Sequence, residues 1–242
     1  MPSIPRRAWN TYIEKLAKVN KAAADRMREW IQINGVSDMD ACIEYAYSLS
    51  TAYGEAAATL ACQMYDYTAK LQKANVPPAM PAETADYYEV SSACVAIEDQ
   101  MNDSVIPSAV ARYVKRAAAD TMLKNAERDG AEFAWIPNGD TCAFCIMLAS
   151  NGWQRVSKKT LKKGHAEHIH NNCNCEYSVR FDSSGVDGYD PSEYKRTYDD
   201  ASTEGAGEKY IGADGKEHVR TQWQARLNSM RRETYAKTKQ DD

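Results

Sequence analysis

The chain has 242 residues, 43% of them apolar, with a formal charge of -4 and seven cysteines. That length holds one large domain or two small ones around a real core. The mild acidity argues against a dedicated nucleic-acid binder while leaving room for local basic patches, and no run approaches the ~18 apolar residues of a membrane span.

In chain order, Trp9, Ile13, Leu16, Met27, Trp30 and Ile31 recur at three- and four-residue spacings, predicting a helix over residues 6–33 that stops at Asn34-Gly35. A second helix should start at Ser37 or Asp38. It carries Ile43, Ala46, Ser50, Tyr53, Ala57, Leu60, Met64, Tyr67 and Leu71 in strict three-four alternation, a heptad stripe that predicts close packing on another helix. Gly54 lies beside the stripe and weakens the helix unless a neighbour approaches there. Val76-Pro-Pro-Ala-Met-Pro81 excludes helix and reads as a hinge or a rigid extended linker. A shorter helix is expected over residues 83–102, then one with Pro107 in its first turn that Gly130 ends after Asp129. Every one of these apolar stripes is first of all bundle packing.

At Gly130 the texture changes. Residues 131–136 read as a strand and Pro137-Asn-Gly-Asp140 as a turn, with further short strands over 153–156 and 173–181. Between them, Cys142-x-x-Cys145 leads into a short helix ending at Asn151-Gly152, and His170-x-x-Cys173-x-Cys175 follows. A Cys-x-x-Cys knuckle offers two thiolates from one tight turn, and the second motif offers two more donors, the composition of a closed tetrahedral Zn²⁺ site. Three donors are present where two suffice. Cys142, Cys145, His170 and Cys175 are the set taken here, with Cys173 as the fifth candidate in place of Cys175; His165 and His168 are spaced less well. Three short strands make too small a core to fold alone, so a structural zinc would supply the missing stability. The competing readings are ordinary buried thiols or a redox pair at Cys142 and Cys145. An odd number of cysteines, with no apolar signal segment opening the chain, argues against a disulfide framework and for a reducing cytoplasm.

Between Trp153 and His165, Arg155, Lys158, Lys159, Lys162 and Lys163 form a basic loop, either a solvated charged surface or a contact for DNA or an acidic partner. Residues 183–216, rich in Gly, Asp, Ser and Tyr, read as a linker or extended arm. Residues 216–239 read as an amphipathic docking helix with Val219, Trp223, Leu227 and Met230 on one side. The expected class is therefore α+β. A mainly helical body at 1–129 is followed by a small zinc-stapled β-rich module at 130–182 and a flexible arm with a terminal helix at 183–242.

The run Ala126-Glu-Arg-Asp-Gly-Ala-Glu-Phe-Ala-Trp135, then Asp140-Thr-Cys-Ala-Phe-Cys-Ile-Met-Leu-Ala-Ser-Asn-Gly152, then His170-Asn-Asn-Cys-Asn-Cys175, resembles the head-morphogenesis proteins of tailed bacteriophages. It is most similar to the Mu F-like minor capsid proteins, with Asn171 where the usual family form has a proline. The resemblance covers about 60 residues well. It implies a virion component present in several copies, assembled in the host cytoplasm and attached to the portal protein or to the inner wall of the major capsid protein. Such a component acts in head assembly or genome delivery, in reach of packaged DNA and without catalysis or a membrane.

Enzyme readings fare worse. A zinc deaminase needs His-x-Glu upstream of Pro-Cys-x-x-Cys, whereas His165-Ala-Glu167 lies downstream of the chain's one Cys-x-x-Cys. An HNH-type nuclease, suggested by His168-Ile-His170-Asn-Asn, needs an open metal site and a histidine base, and after His170 the next histidine is His218. A cysteine hydrolase on Cys142 or Cys145 would lose its nucleophile to zinc. A cellular zinc-binding interaction module is the remaining alternative.

Overall fold

The computed structural model describes residues 2–98, 105–139, 141–157, 175–212 and 214–238. Among them the chain is mixed α/β and mainly helical, with two small antiparallel sheets. It forms two compact units, Met1–Asn138 with Trp153–Tyr189, and Gly139–Gly152 with Asp190–Asp242. No helix among the described residues is long and apolar enough to cross a membrane.

In the first unit, α1 (Arg6–Asn34) ends where Gly35 adopts φ 71° and donates its N–H to Ile31 O, the left-handed geometry that glycine takes without penalty. The Asp38 side chain accepts from the Ala41 N–H and so caps α2 (Met39–Leu71). The buried face of α2 runs through Ile43, Ala46, Ser50, Gly54, Ala57, Ala61, Tyr65 and Thr68, the 3.6-residue period of a straight helix. The expected heptad stripe departs from this face as it advances. Leu60 and Leu71 are half-buried and Tyr67 is 39% exposed, because a strict seven-residue repeat drifts by about 20° per heptad on an unsupercoiled helix.

Helices α3 (Tyr87–Glu98) and α4 (Val105–Asp129) complete the bundle, and α4 packs against both α1 and α2. Gly54 marks the close approach: a Cβ there would lie 2.9 Å from Thr84 Cγ2 and 3.6 Å from Ala117 Cβ. Asp86 and Glu89 cap α3 reciprocally, the Asp86 carboxylate accepting from Glu89 N–H at 2.8 Å and the Glu89 carboxylate from Asp86 N–H at 3.3 Å. The proline-rich segment before α3 is a strap fastened to its neighbours. Asn125 accepts from Met80 N–H and donates to Met80 O, Thr121 Oγ1 accepts from Ala82 N–H, and Arg128 donates to the Pro77 and Pro78 carbonyls.

Three strands follow, β1 (Glu132–Ile136), β2 (Gln154–Arg155) and β3 (Glu176–Arg180), in the antiparallel order β2-β1-β3. Consecutive residues of β1 and β3 are buried, so both faces of this small sheet are covered instead of one facing water. The Tyr177 ring stands edge-on to Phe133 at 5.6 Å and to Trp135 at 4.7 Å, adding aromatic packing to the buried area. Ile4 pairs with the segment after β3, donating to Gly185 O and accepting from Asp187 N–H.

The second unit is built from α5 (Ala143–Ala149), α6 (Pro191–Asp200), the hairpin β4 (Lys209–Ile211) and β5 (Glu217–Val219), and α7 (Gln222–Thr238). Its core joins Ala143, Ala201, Leu227 and Met230 to the flanking Phe144, Ile146, Met147 and Tyr198. Residues 183–216, expected as an arm, thus contain a helix and most of a hairpin. Asp190 caps α6 through Ser192 N–H, with Pro191 in the first turn. The expected final helix starts later than Lys216. His218 and Val219 belong to a strand, and of the expected apolar side Leu227 and Met230 are buried while Val219 and Trp223 are exposed.

Candidate functional site

Gly139, at φ 70°, turns the chain after β1, and its carbonyl accepts from the Thr141 hydroxyl at 3.0 Å. Cys142 follows in extended conformation as the N-cap of α5, its carbonyl receiving Ile146 N–H. Cys145 is three residues on, within the first turn of the helix that Cys142 caps. Cys145 is buried and Cys142 half-buried.

Cys175 is buried at the entry to β3, within the first unit. It borders a void of about 10 Å³ shared with Asn20, Lys115 and Glu176, at the lower limit for a single water and too small for an organic ligand. His165, His168, His170 and Cys173 lie outside the described residues, as do Lys158, Lys159, Lys162 and Lys163. Arg155 is exposed on β2, opposite Glu132. Among the described residues no group of three or more His, Cys, Asp or Glu side chains is placed to hold a metal ion. The described part of the motif is thus the knuckle turn of Cys142 and Cys145, with Cys175 in the sheet-bearing unit.

Two charged residues that sequence reasoning passed over are buried in the first unit. Lys115 on α4 is 4% exposed and Glu176 on β3 is 1% exposed. The Lys115 ammonium stands 5.8 Å from the centroid of the Trp135 ring, within cation–π range. A Glu176 carboxylate oxygen accepts its neighbour's N–H, that of Tyr177, at 2.8 Å. Burial, and secondarily Glu176, pushes the Tyr12 hydroxyl well above its ordinary range, so Tyr12 stays neutral at any physiological pH. The signal for Lys115 was present in the sequence. Ala111, Ala118 and Met122, at the i-4, i+3 and i+7 positions, are all buried, so helical periodicity alone places position 115 inside.

A second charged cluster joins α3 to α4. Arg116 pairs with Glu89 at 2.6 Å and with Asp120 at 3.7 Å. Hydrogen bonding to Arg116 holds the Glu89 carboxyl below its ordinary range, whereas burial lifts Asp120 to about 6 against the pull of Arg116. Among the described residues, the void beside Lys115 and Glu176 is the one of about 10 Å³ that Cys175 borders.

A family model described as VG15 protein matches residues 3–201. No curated protein and no solved structure matches the chain.

Proposed function

The chain belongs to the VG15 protein family and is a phage protein, and from that premise we propose that it is a minor structural protein of a tailed-phage head. In this reading it is Mu F-like, docks on the portal or the inner capsid wall in several copies, and acts in head assembly or genome delivery. The observation that carries the reading is the single family match running unbroken through the helical body, the three-stranded sheet and the Cys142–Cys145 turn. The ordered run from Trp135 through Cys142, Cys145, His170 and Cys175 supports the finer assignment. The role is structural and not catalytic, with the chain's functional surfaces serving as contacts.

A structural Zn²⁺ belongs to the same proposal. Two thiols three residues apart at the start of one helix have the donor chemistry of a knuckle, and His170 with Cys175, or Cys173 in its place, would complete the shell by sequence spacing. The ion would contribute folding stability. The basic residues Arg155, Lys158, Lys159, Lys162 and Lys163 are proposed as the contact for packaged DNA or an acidic portal surface.

Suppressing the gene during phage production tests the function. The expected result is normal tails with absent, aberrant or non-infectious heads, and full-yield infectious particles would contradict it. Elemental analysis of the purified chain tests the metal: about one zinc per chain is expected, with Cys145→Ser lowering it and a chelator opening residues 131–181 to protease. Metal-free protein with a resistant segment would remove zinc from the account.

A further inference from the structure

Helices α1 and α2 pack side by side in the first unit and leave between them an open groove of about 450 Å³. One wall carries Leu60, Met64 and Tyr67 at i, i+4 and i+7 on α2, with the polar Gln63 beside them. The other carries Arg7 and Lys15, two turns apart on α1. Tyr12 forms part of the lining, and no acidic side chain contributes to it. Tyr67 is 39% exposed although it is a large aromatic residue.

Some cations of the molecule have carboxylate partners, and others, among them Arg6 and Lys18 on α1, have none among the described residues. On the same helix Lys21 and Arg28 both pair with Asp25, and Arg116, Arg128, Arg180, Arg220 and Arg226 all pair with carboxylates. Arg7 and Lys15 are exposed and have no ion-pair partner among the described residues. Two unpaired cations on one edge of an apolar floor call for an anionic flank on whatever covers the floor. The floor repeats at helical spacing, and tyrosine and arginine are the side chains that most often anchor such contacts.

We infer that this groove is a docking site for an acidic amphipathic helix of a partner protein. The partner lays an apolar stripe against Leu60, Met64 and Tyr67 and turns its carboxylates toward Arg7 and Lys15. The inference stands on the groove alone and holds whether or not the chain is a head component.

The probe is a blocked helical peptide of about 18 residues with leucines at i, i+3, i+4 and i+7 and glutamates along one flank. It is compared with the same peptide carrying lysines in place of the glutamates, and binding to the full chain is followed by fluorescence anisotropy. The glutamate peptide is expected to bind at least about tenfold more tightly than the lysine peptide. The R7E/K15E variant should reverse that preference while keeping its helical circular dichroism and thermal midpoint. Tyr67→Ala should weaken both peptides. Equal binding of the two peptides, no binding of either, or a preference unchanged in R7E/K15E would overturn the inference. So would self-association of the chain that Tyr67→Ala abolishes, which would make a second copy the occupant.

Discussion

At the scale of single residues, charged groups lie in and beside the core of the first unit, Lys115 and Glu176 buried and Asp120 partly exposed. Lys115 lies over Trp135, Glu176 accepts from the backbone of its own strand, and Asp120 shares Arg116 with Glu89. Asp120 opposes folding at neutral pH. Its folded value, about 6, lies above its ordinary value, so the folded state holds this proton more tightly than the unfolded state does. The stabilisation from protonated Asp120 is complete below about pH 4 and is lost as pH rises through 6. Glu89 runs the other way, its depressed value contributing stability above the ordinary carboxylate range that is lost on acidification. Asp120→Asn should therefore raise stability at pH 7 by about 1 kcal/mol, a figure reduced for the partial exposure of the side chain, and should leave it little changed at pH 4. Urea denaturation at the two pH values checks this, and an equal effect at both would refute it. Charges of this kind are hard to read from sequence because the face of a helix can be inferred from its period, whereas the partner that makes burial tolerable comes from a distant element.

At the scale of elements, boundaries follow local chemistry and packing faces do not. Gly35, Gly130 and Gly152 end their helices with positive φ, and Asp38 caps α2. All of these stops and starts were legible in the sequence, as were the three strands to within a few residues. Of the α2 stripe, Ile43, Ala46, Ser50, Ala57 and Met64 are buried while Tyr53, Leu60, Tyr67 and Leu71 stray from the buried face, because a stripe of mixed alanine, tyrosine and leucine fits 3.5 and 3.6 residues per turn almost equally well over a short stretch, and the positions of α1 and α4 decide between them. Residues 183–216 were misjudged because Gly, Asp and Ser composition was weighed above two local signals, Asp190-Pro191 at a helix start and Asp214-Gly215 in a hairpin turn. Of the two readings of the proline-rich segment, hinge or rigid linker, its hydrogen bonds to α2 and α4 favour the second. Asn125, buried on α4, closes a two-way bridge to Met80. Asn125→Ala strands both backbone groups of Met80 and should destabilise the chain by about 2 kcal/mol. It should also open the strap near Met80 to protease before the rest of the body. Limited proteolysis reads this directly, and cleavage no faster than in the native chain would show that the prolines alone fix the strap.

At the scale of the whole molecule, the described residues form a helical body with a small covered sheet and a second unit of short helices and a hairpin. A groove between α1 and α2 has a cationic rim, and the buried Lys115 and Glu176 border a void of about 10 Å³. The metal motif was legible as a pattern of donors. Only its first turn falls within the described residues, so its second half rests on spacing. Family membership establishes a phage protein, and the central proposal is that this protein is built into the head. Quantitative mass spectrometry of purified virions from the phage that encodes the chain tests that most directly, with heads and tails separated before digestion. The chain is expected in the head fraction, far less abundant than the major capsid protein and in constant ratio to the portal; absence from virions, or recovery with tails alone, would contradict a place in the head.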